Sequence, residues 1–252
     1  MTLDETIDKL VQLRLNTMAL ALRELSTSAP SHQLSFEEKI GLLVDREWTE
    51  RDNRRLQRRL KDAKLPTSAS PEDTQCDAAR GIERAQLRQL CSCDWVRAKQ
   101  NVLVTGPTGV GKSYIAAALA NAACRKGHRA FYARVPRLLQ ELAVARADGS
   151  YGSVLQKLGR IDVLILDDFL LAPFKDAERR DLLEVLEDRY DRCSTIVTSQ
   201  YAPKLWHGSL GDPTVADAIC DRLLHNAHEL PLGGPSIRKK KGLNAPKIET
   251  NN

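Results

Sequence analysis

Eight consecutive residues have the types and spacing of a loop that binds polyphosphate. They follow the pattern G-x-x-x-x-G-K-S, and in full they are Gly106, Pro107, Thr108, Gly109, Val110, Gly111, Lys112 and Ser113. Glycines let the backbone approach an anion closely, and the N–H groups that open a helix are donors at the positive end of its dipole. Lys112 is then expected to reach the β- and γ-phosphates, and the Ser113 hydroxyl to bind Mg²⁺. The loop therefore predicts binding of ATP or GTP with Mg²⁺.

Polar residues at the ends of two apolar stretches are the predicted partners of this loop. Asp167 and Asp168 end one stretch, and Ser199 and Gln200 end another. Side chains at the carboxyl end of a parallel strand face the crevice in which ligands bind. We expect Asp167 to hold Mg²⁺, directly or through water, and Asp168 to orient and deprotonate the attacking water. Either Ser199 or Gln200 is expected to bond the γ-phosphate or that water, unless the second stretch is an ordinary strand end.

An alternation of strands and helices is predicted to position these groups. Apolar, β-branched stretches predict five strands, with helical stretches between them, at residues 101–105, 129–133, 161–167, 194–199 and 228–232. Such alternation is typical of an α/β domain whose mostly parallel sheet is covered by helices on both faces.

The N-terminal region is predicted to be helical throughout. One amphipathic helix is expected over residues 2–25, opened by a capping box of Thr2 and Glu5. A second capping box, Ser35 and Glu38, opens a long helix. Its first half carries apolar residues at core spacing, namely Phe36, Ile40, Leu43, Val44 and Trp48.

The second half of that long helix is strongly basic. Residues 51–64 contain seven basic and two acidic side chains, a surplus equal to the net charge of +5 of the whole chain. Five arginines share one face of the helix, with few acids at i,i+4 to pair them: Arg51, Arg54, Arg55, Arg58 and Arg59. This face is either merely solvated or contacts the phosphates of nucleic acid, and the alignment favours the second reading.

Composition places limits on the remaining organisation. Residues 65–73 have the Pro- and Ser-rich composition of a linker. The predicted domains are a helical DNA-binding and assembly domain at 1–65, a linker at 66–80, an ATPase domain at 81–235 and a basic flexible tail at 236–252. No run approaches the roughly 18 apolar residues that a membrane span requires, and the N-terminus does not resemble a secretory signal. We therefore expect a cytoplasmic protein that does not engage membranes.

The ordered set of motifs resembles the AAA+ ATPases, and within them the clade of the DnaC helicase loader and the IstB-like helper ATPases of bacterial insertion sequences. The resemblance to the IstB-like proteins covers nearly the whole chain. Beyond the phosphate loop, its most informative carriers are the segments 198–200, 221–225 and 234–238. The fold that it implies is a P-loop AAA+ domain with a parallel five-stranded sheet, preceded by a small all-helical domain.

The resemblance also implies roles for individual residues. Gln200 is similar to a sensor-1 residue, Arg222 to an arginine finger that reaches a neighbouring subunit's ATP, and Arg238 to a sensor-2 arginine. The sequence does not distinguish Arg222 from Arg189 as the finger. The family more usually has Asn at the sensor position, Gly in place of Leu170 and, in many members, Glu in place of Asp168. A shorter carboxylate reaches less far, so we expect slow hydrolysis.

The predicted function is that of an ATP-dependent, largely sequence-independent DNA-binding ATPase. It is expected to oligomerise on duplex DNA through ATP held between subunits and to assist a transposase, in a bacterial cell and at the nucleoid when on DNA. The alternatives are a replicative helicase loader, a small-molecule P-loop kinase, and a nucleotide-gated adaptor with negligible hydrolysis.

Overall fold

The computed structural model describes residues 2–27, 33–74 and 81–237. The chain divides into two compact units between Arg58 and Arg59, within one long helix. This division lies a few residues before the predicted domain boundary at residue 65, which stays a prediction. Among the described residues, no helix combines the length and the hydropathy that crossing a bilayer requires.

The N-terminal unit begins with two short helices where the sequence predicts one. Helix α1 spans Leu3–Gln12 and α2 spans Asn16–Thr27, so the prediction of a single helix over residues 2–25 is wrong. Between them Arg14 has a left-handed backbone with φ of 60°, and the Leu15 N–H donates to the Leu10 carbonyl at 2.8 Å. Such left-handed helix ends usually carry glycine, and the Arg14 position offers no such signal in the sequence.

Both predicted capping boxes are confirmed. The Thr2 N–H donates to the Glu5 carboxylate at 2.9 Å, and the Glu5 N–H donates to the Thr2 hydroxyl at 3.3 Å. The Ser35 N–H donates to Glu38 at 2.7 Å, and the Glu38 N–H donates to the Ser35 hydroxyl at 3.2 Å. The second box opens helix α3, Phe36–Ala63.

The apolar residues of α3 form a core to a smaller extent than their spacing predicts. Among the five apolar residues predicted to face a core, Leu43 is buried, whereas Phe36 is 73% exposed and Trp48 is 71% exposed. The side of α3 that α2 covers is marked by Glu47, which is buried and accepts a hydrogen bond from the Met18 N–H at 3.0 Å. Trp48 lies about 100° around the helix from Glu47, whereas Phe36 lies on nearly the same side as Glu47, three turns earlier, and stays exposed near the start of α3.

The second unit contains the predicted five-stranded parallel sheet. Its strands are β1 (Asn101–Thr105), β2 (Ala130–Arg134), β3 (Val163–Phe169), β4 (Ser194–Ser199) and β5 (Ala227–Pro231). They lie in the order β2-β3-β4-β1-β5, and every neighbouring pair is parallel. The predicted strand positions are confirmed to within two residues. Every residue of β1 and β4 is buried, because helices cover both faces of the sheet.

Two short helices of this unit precede β1 in the chain, and the helices that follow connect successive strands. In chain order the helices are α4 (Arg84–Cys91), α5 (Asp94–Arg97), α6 (Lys112–Arg125), α7 (Val135–Asp148), α8 (Tyr151–Gly159), α9 (Asp176–Arg189), α10 (Trp206–Leu210) and α11 (Pro213–Leu224), with a 3₁₀ turn at Pro203–Leu205. Side chains of α7 to α11 form one buried cluster with Leu103, Leu164, Leu166 and Val197 of the sheet. The polar residues of β2 and β3 lie on the opposite face of the sheet, because neighbouring residues of a strand alternate in direction.

The described part of the predicted linker packs on this unit. Ala69 is fully buried against Ala117 and Ala118 of α6, and Glu72 forms an ion pair with Arg125 at 2.6 Å. Residues 75–80 lie outside the described residues. Residues 66–74 therefore form part of the surface of the unit.

The chain after β5 returns to the phosphate loop. The Leu232 N–H donates to the Thr105 carbonyl at 2.7 Å, and the Ile237 N–H donates to the Gly109 carbonyl at 2.9 Å. Ser236 and Ile237, predicted to begin a flexible tail, therefore pack on the loop. Residues 238–252, including Arg238, lie outside the described residues.

Candidate nucleotide-binding site

The phosphate loop has the backbone geometry that its glycines predict. Gly106, Gly109 and Gly111 have φ of 138°, 85° and 102°, a region that side chains with a Cβ rarely adopt. At Gly106 a Cβ would also lie 2.1 Å from the Leu232 carbonyl oxygen. Both the backbone angle and the lack of space therefore require glycine at this position. The loop leads into the N-terminus of α6, which begins at Lys112 and presents its first N–H groups to the same space.

The Lys112 ammonium group lies within the loop. Its Nζ donates to the carbonyls of Gly106 at 2.8 Å and of Pro107 at 2.9 Å, and the side chain is almost completely buried. Phosphate oxygens are stronger acceptors than carbonyl oxygens, so the group is placed to exchange these partners for a nucleotide.

Asp167 is buried at the end of β3 and is surrounded by hydroxyl groups. It is 3% exposed; its Oδ1 accepts from the Ser113 hydroxyl at 2.9 Å and from the Thr198 hydroxyl, and its Oδ2 accepts from the Tyr132 hydroxyl at 2.6 Å. Burial and this contact raise the pKa of Tyr132, which keeps its hydroxyl protonated as a donor.

The donor set at Ser113 and Asp167 fits Mg²⁺. Hydroxyl and carboxylate oxygens are the hard ligands that Mg²⁺ prefers, and it usually takes only one or two carboxylates, with water and phosphate oxygens completing its octahedron. The described residues contain no group of three or more His, Cys, Asp or Glu that suits a metal. Water and a nucleotide's phosphates would supply the remaining ligands.

Asp168 reaches the same cavity because β3 is irregular at this point. The register between β3 and β4 shifts between Leu166 and Phe169, and Asp168 has φ of 60°. In a regular strand the side chains of Asp167 and Asp168 would point to opposite faces. The irregularity brings both to one site, where the Asp168 carboxylate accepts from Arg134 Nε at 2.9 Å and Nη2 at 2.8 Å. This ion pair raises the pKa of the Arg134 guanidinium.

A single cavity of about 990 Å³ connects these groups. Of the predicted residues, Thr108 to Ser113, Asp167, Asp168 and Gln200 line it. Other lining residues were not predicted: Pro66, Thr67, Asp73, Thr74, Ile82, Tyr114, Ile115, Tyr132, Arg134, Leu171 and Ile237. Arg134 ends β2, so the rule that ligands bind at the carboxyl ends of parallel strands contains a signal for it. The lining residues that precede β1 in the chain carry no such signal, because their place depends on tertiary packing.

The structure separates the two candidates at the end of β4. The Ser199 hydroxyl is buried and donates to the Phe169 carbonyl at 2.9 Å, whereas Gln200 lines the cavity. Thr198, which was not predicted, contacts both acids: its hydroxyl donates to Asp167 and accepts from the Asp168 N–H at 3.2 Å. The sensor role of Gln200 stays a prediction.

The two candidate finger arginines differ in accessibility. Arg189 is 1% exposed and donates to the carbonyls of Leu158 at 2.6 Å and Ile161 at 2.8 Å; burial lowers its pKa to about 10. Arg222, on α11, is partly exposed, pairs with Glu187 and does not line the cavity of its own chain. Its Nε is buried and has no hydrogen-bond partner among the described residues.

Several arginines of the basic face of α3 have local partners within the chain. Arg51 pairs with Glu47 at 2.6 Å and Arg54 with Glu50 at 2.7 Å, so the expectation of few acids one turn away is wrong. Arg59 donates to the Cys124 carbonyl at 3.4 Å and is only partly exposed, whereas Arg55 and Arg58 are exposed. Their contact with DNA stays a prediction.

Comparisons with known proteins agree with this geometry. A family model described as "IstB-like ATP binding protein" matches residues 8–245. A putative insertion-sequence ATP-binding protein of Sinorhizobium fredii is 48% identical over 94% of this chain and 96% of its own. A putative ATP-binding protein in an insertion sequence of Mycobacterium tuberculosis is 34% identical over 91% of this chain and 92% of its own.

Solved structures share the fold. The crystal structure of the DnaC helicase loader aligns with a TM-score of 0.57 and 22% identity, over 68% of this chain and 100% of that chain. AMPPCP-bound DnaA from Aquifex aeolicus aligns with a TM-score of 0.57 and 17% identity, over 70% of this chain and 54% of that chain. The predicted AAA+ fold is confirmed, and at these identities the likeness concerns the fold alone.

Proposed function

Because the chain belongs to the IstB-like ATP-binding proteins, we propose that it hydrolyses ATP in order to control where a transposase acts on DNA. The observation that carries the ATPase part is the convergence of Lys112, Ser113, Asp167 and Asp168 on one cavity. Together they supply what phosphoryl transfer to water needs: a positive charge beside the phosphates from Lys112, ligands for Mg²⁺ from Ser113 and Asp167, and a base for the water from Asp168.

The chain's own residues would perform distinct parts of the reaction. Lys112 would bind the β- and γ-phosphates, and Ser113 with Asp167 would hold Mg²⁺, which would supply positive charge beside the phosphate oxygens. Water attacks the γ-phosphorus, ADP leaves, and Asp168 accepts the proton of the water. The ion pair with Arg134 holds the Asp168 carboxylate at the cavity wall, 2.8 Å from the guanidinium.

A neighbouring subunit is proposed to complete the site through Arg222. Arg222 lies outside the cavity of its own chain and is partly exposed, whereas the other candidate, Arg189, is fully engaged by backbone carbonyls of its own chain. An arginine supplied by a neighbour adds roughly 10³ to 10⁵ in rate to such reactions, so hydrolysis would depend on assembly. ATP would then hold one protomer to the next.

The basic face of α3 is proposed to contact duplex DNA without reading its sequence. The face combines exposed and locally paired arginines, and guanidinium groups bind phosphate well. If about five phosphates are neutralised, the logarithm of the binding constant should fall against the logarithm of salt concentration with a slope of about −4 to −5. An affinity that does not change with salt would contradict this part of the proposal.

Two variants test the ATPase assignment. Lys112→Ala removes the charge inside the loop and is expected to weaken ATP binding about 100-fold and to abolish ATP-dependent DNA binding, since hydrogen bonds to charged groups contribute about 1.5–3 kcal/mol each. Asp168→Asn is expected to lower hydrolysis by about 10²–10⁴-fold while ATP binding stays within a few-fold, because it removes the base but not the binding groups. Lys126→Ala, at the other end of α6, is the matched control.

The measurements are nucleotide affinity, phosphate release with and without duplex DNA, and DNA binding with ATP. Hydrolysis stimulated by duplex DNA supports the proposal, and phosphoryl transfer to a metabolite would refute it in favour of a kinase. Negligible hydrolysis with intact, ATP-dependent DNA binding would favour the adaptor. Since the fold is shared with a helicase loader, binding to the cognate transposase should be compared with binding to a replicative helicase.

A further inference from the structure

The Tyr132 hydroxyl contacts Asp167 directly, although no phosphate-binding motif includes this tyrosine. Its hydroxyl donates to Asp167 Oδ2 at 2.6 Å. Ser113 and Thr198 both donate to the other oxygen, Oδ1. Tyr132 is therefore the donor to Oδ2 among the described residues.

The sheet register makes this contact possible. In the pairing of β2 with β3, Tyr132 lies opposite Ile165 and Arg134 lies opposite Asp167. Residues that lie opposite each other, and those two positions further along, share a face of the sheet. Tyr132 is thus the diagonal neighbour of Asp167, at a distance that a long aromatic side chain spans.

The contact has a consequence for the direction of the carboxylate. Oδ1 faces Ser113, the predicted ligand of Mg²⁺, and a donor on Oδ2 restrains rotation about the Cβ–Cγ bond. Asp167 is buried, so without Tyr132 the Oδ2 atom would lose its hydrogen bond and turn toward another donor. Partners that orient a ligand in this way typically change metal affinity 10- to 100-fold when they are removed.

We propose that Tyr132 is a positioning residue for the Mg²⁺ site formed by Ser113 and Asp167. This inference rests on the proposed function, which places Mg²⁺ between these two residues. It assigns to the edge strand β2 a part in metal binding that the phosphate loop and the acidic strand do not supply.

The test is a Mg²⁺ titration of nucleotide binding by the full chain, with a fluorescent ATP analogue as the probe. Tyr132→Phe keeps the ring and removes the hydroxyl. It is expected to raise, by about tenfold or more, the Mg²⁺ concentration at which the Mg²⁺-dependent gain in analogue binding is half complete. Binding of the analogue in EDTA should stay within about twofold of the wild type. Tyr114→Phe is the matched control, because Tyr114 lines the same cavity and is not among the donors to Asp167.

The possible results separate this inference from the proposed function. If the wild type depends on Mg²⁺ and Tyr132→Phe has an unchanged midpoint, the positioning role is refuted while the Mg²⁺ site stands. If Tyr132→Phe loses equal affinity in EDTA, the tyrosine acts on the fold and the positioning role is refuted as well. If wild-type binding does not depend on Mg²⁺ at all, the metal assignment fails and this inference fails with it.

Discussion

The two units of this chain differ in how far the fold covers their large side chains. In the nucleotide-binding unit a carboxylate, Asp167, is buried and three hydroxyl groups of the same unit donate to it. In the N-terminal unit large apolar side chains such as Phe36 and Trp48 are exposed, and Arg51 and Arg54 of α3 pair with acids on the same helix. A buried charge requires partners within the fold, whereas an exposed side chain leaves its partner undetermined.

This difference decides how directly the structure of one chain supports the proposed ATPase chemistry and the proposed DNA contact. The polar groups of the nucleotide site orient one another, so their chemistry follows from their geometry. The Arg54–Glu50 ion pair on α3 is solvent-exposed, and such pairs contribute about 0–1 kcal/mol each, so this arginine would exchange Glu50 for a phosphate readily. Variants in each unit are expected to show whether this contrast holds.

The largest expected effect concerns the completion of the nucleotide site by a neighbour. Arg222→Ala is expected to lower hydrolysis by the assembled protein by about 10³-fold or more, while ATP binding by the single chain stays unchanged, because Arg222 does not line its own cavity. Phosphate release should be measured for each variant alone and for mixtures of Arg222→Ala with Lys112→Ala.

In such a mixture, some interfaces combine an intact ATP site with an intact arginine, so activity should partly return. Mixtures that stay as inactive as their components would contradict a role between subunits. An equal loss of ATP binding in Arg222→Ala would place the residue in the structure of its own chain, where its pairing with Glu187 offers an explanation.

The second-largest expected effect concerns stability, and it contrasts a buried tryptophan of one unit with an exposed tryptophan of the other. Trp206 is fully buried, its indole N–H donates to the Tyr201 carbonyl at 3.0 Å, and its ring packs on Phe169 at 4.7 Å between centroids. Trp206→Ala should lower the free energy of unfolding by about 3–5 kcal/mol, whereas Trp48→Ala, at an exposed position, should change it by about 0.5 kcal/mol or less. Denaturant unfolding measures both. A loss of several kcal/mol for Trp48→Ala would show that this side chain is covered in solution.

The smallest effect concerns single arginines of the basic face. Arg55→Ala is expected to make the slope of the logarithm of the binding constant against the logarithm of salt concentration less steep by about one. The loss of affinity for duplex DNA should be uniform across sequences. Arg160→Ala removes an exposed arginine of the nucleotide-binding unit and serves as the control. Equal slopes for the two variants would contradict the assignment of DNA contact to α3.

Local patterns were sufficient to predict much of both units. The phosphate loop, the five strands and the two capping boxes each depend on residues that are close in sequence, so hydrophobic periodicity and turn chemistry reveal them. The same reasoning located Asp167, because a strand's carboxyl end lies beside the loop in any parallel sheet of this kind. It failed at Arg14, where a left-handed helix end carries arginine instead of glycine.

What the sequence alone determined is therefore which residues are proposed for the nucleotide chemistry: a loop for phosphates, a hydroxyl and a carboxylate for Mg²⁺, and a second carboxylate for water. Only the tertiary structure decided that Asp168 turns to the same side as Asp167, since this depends on an irregularity between β3 and β4. It also decided that Tyr132 and Arg134 reach the two acids, because strand order and register bring β2 beside β3. Such placements depend on contacts between residues that are distant in sequence, which no local pattern encodes.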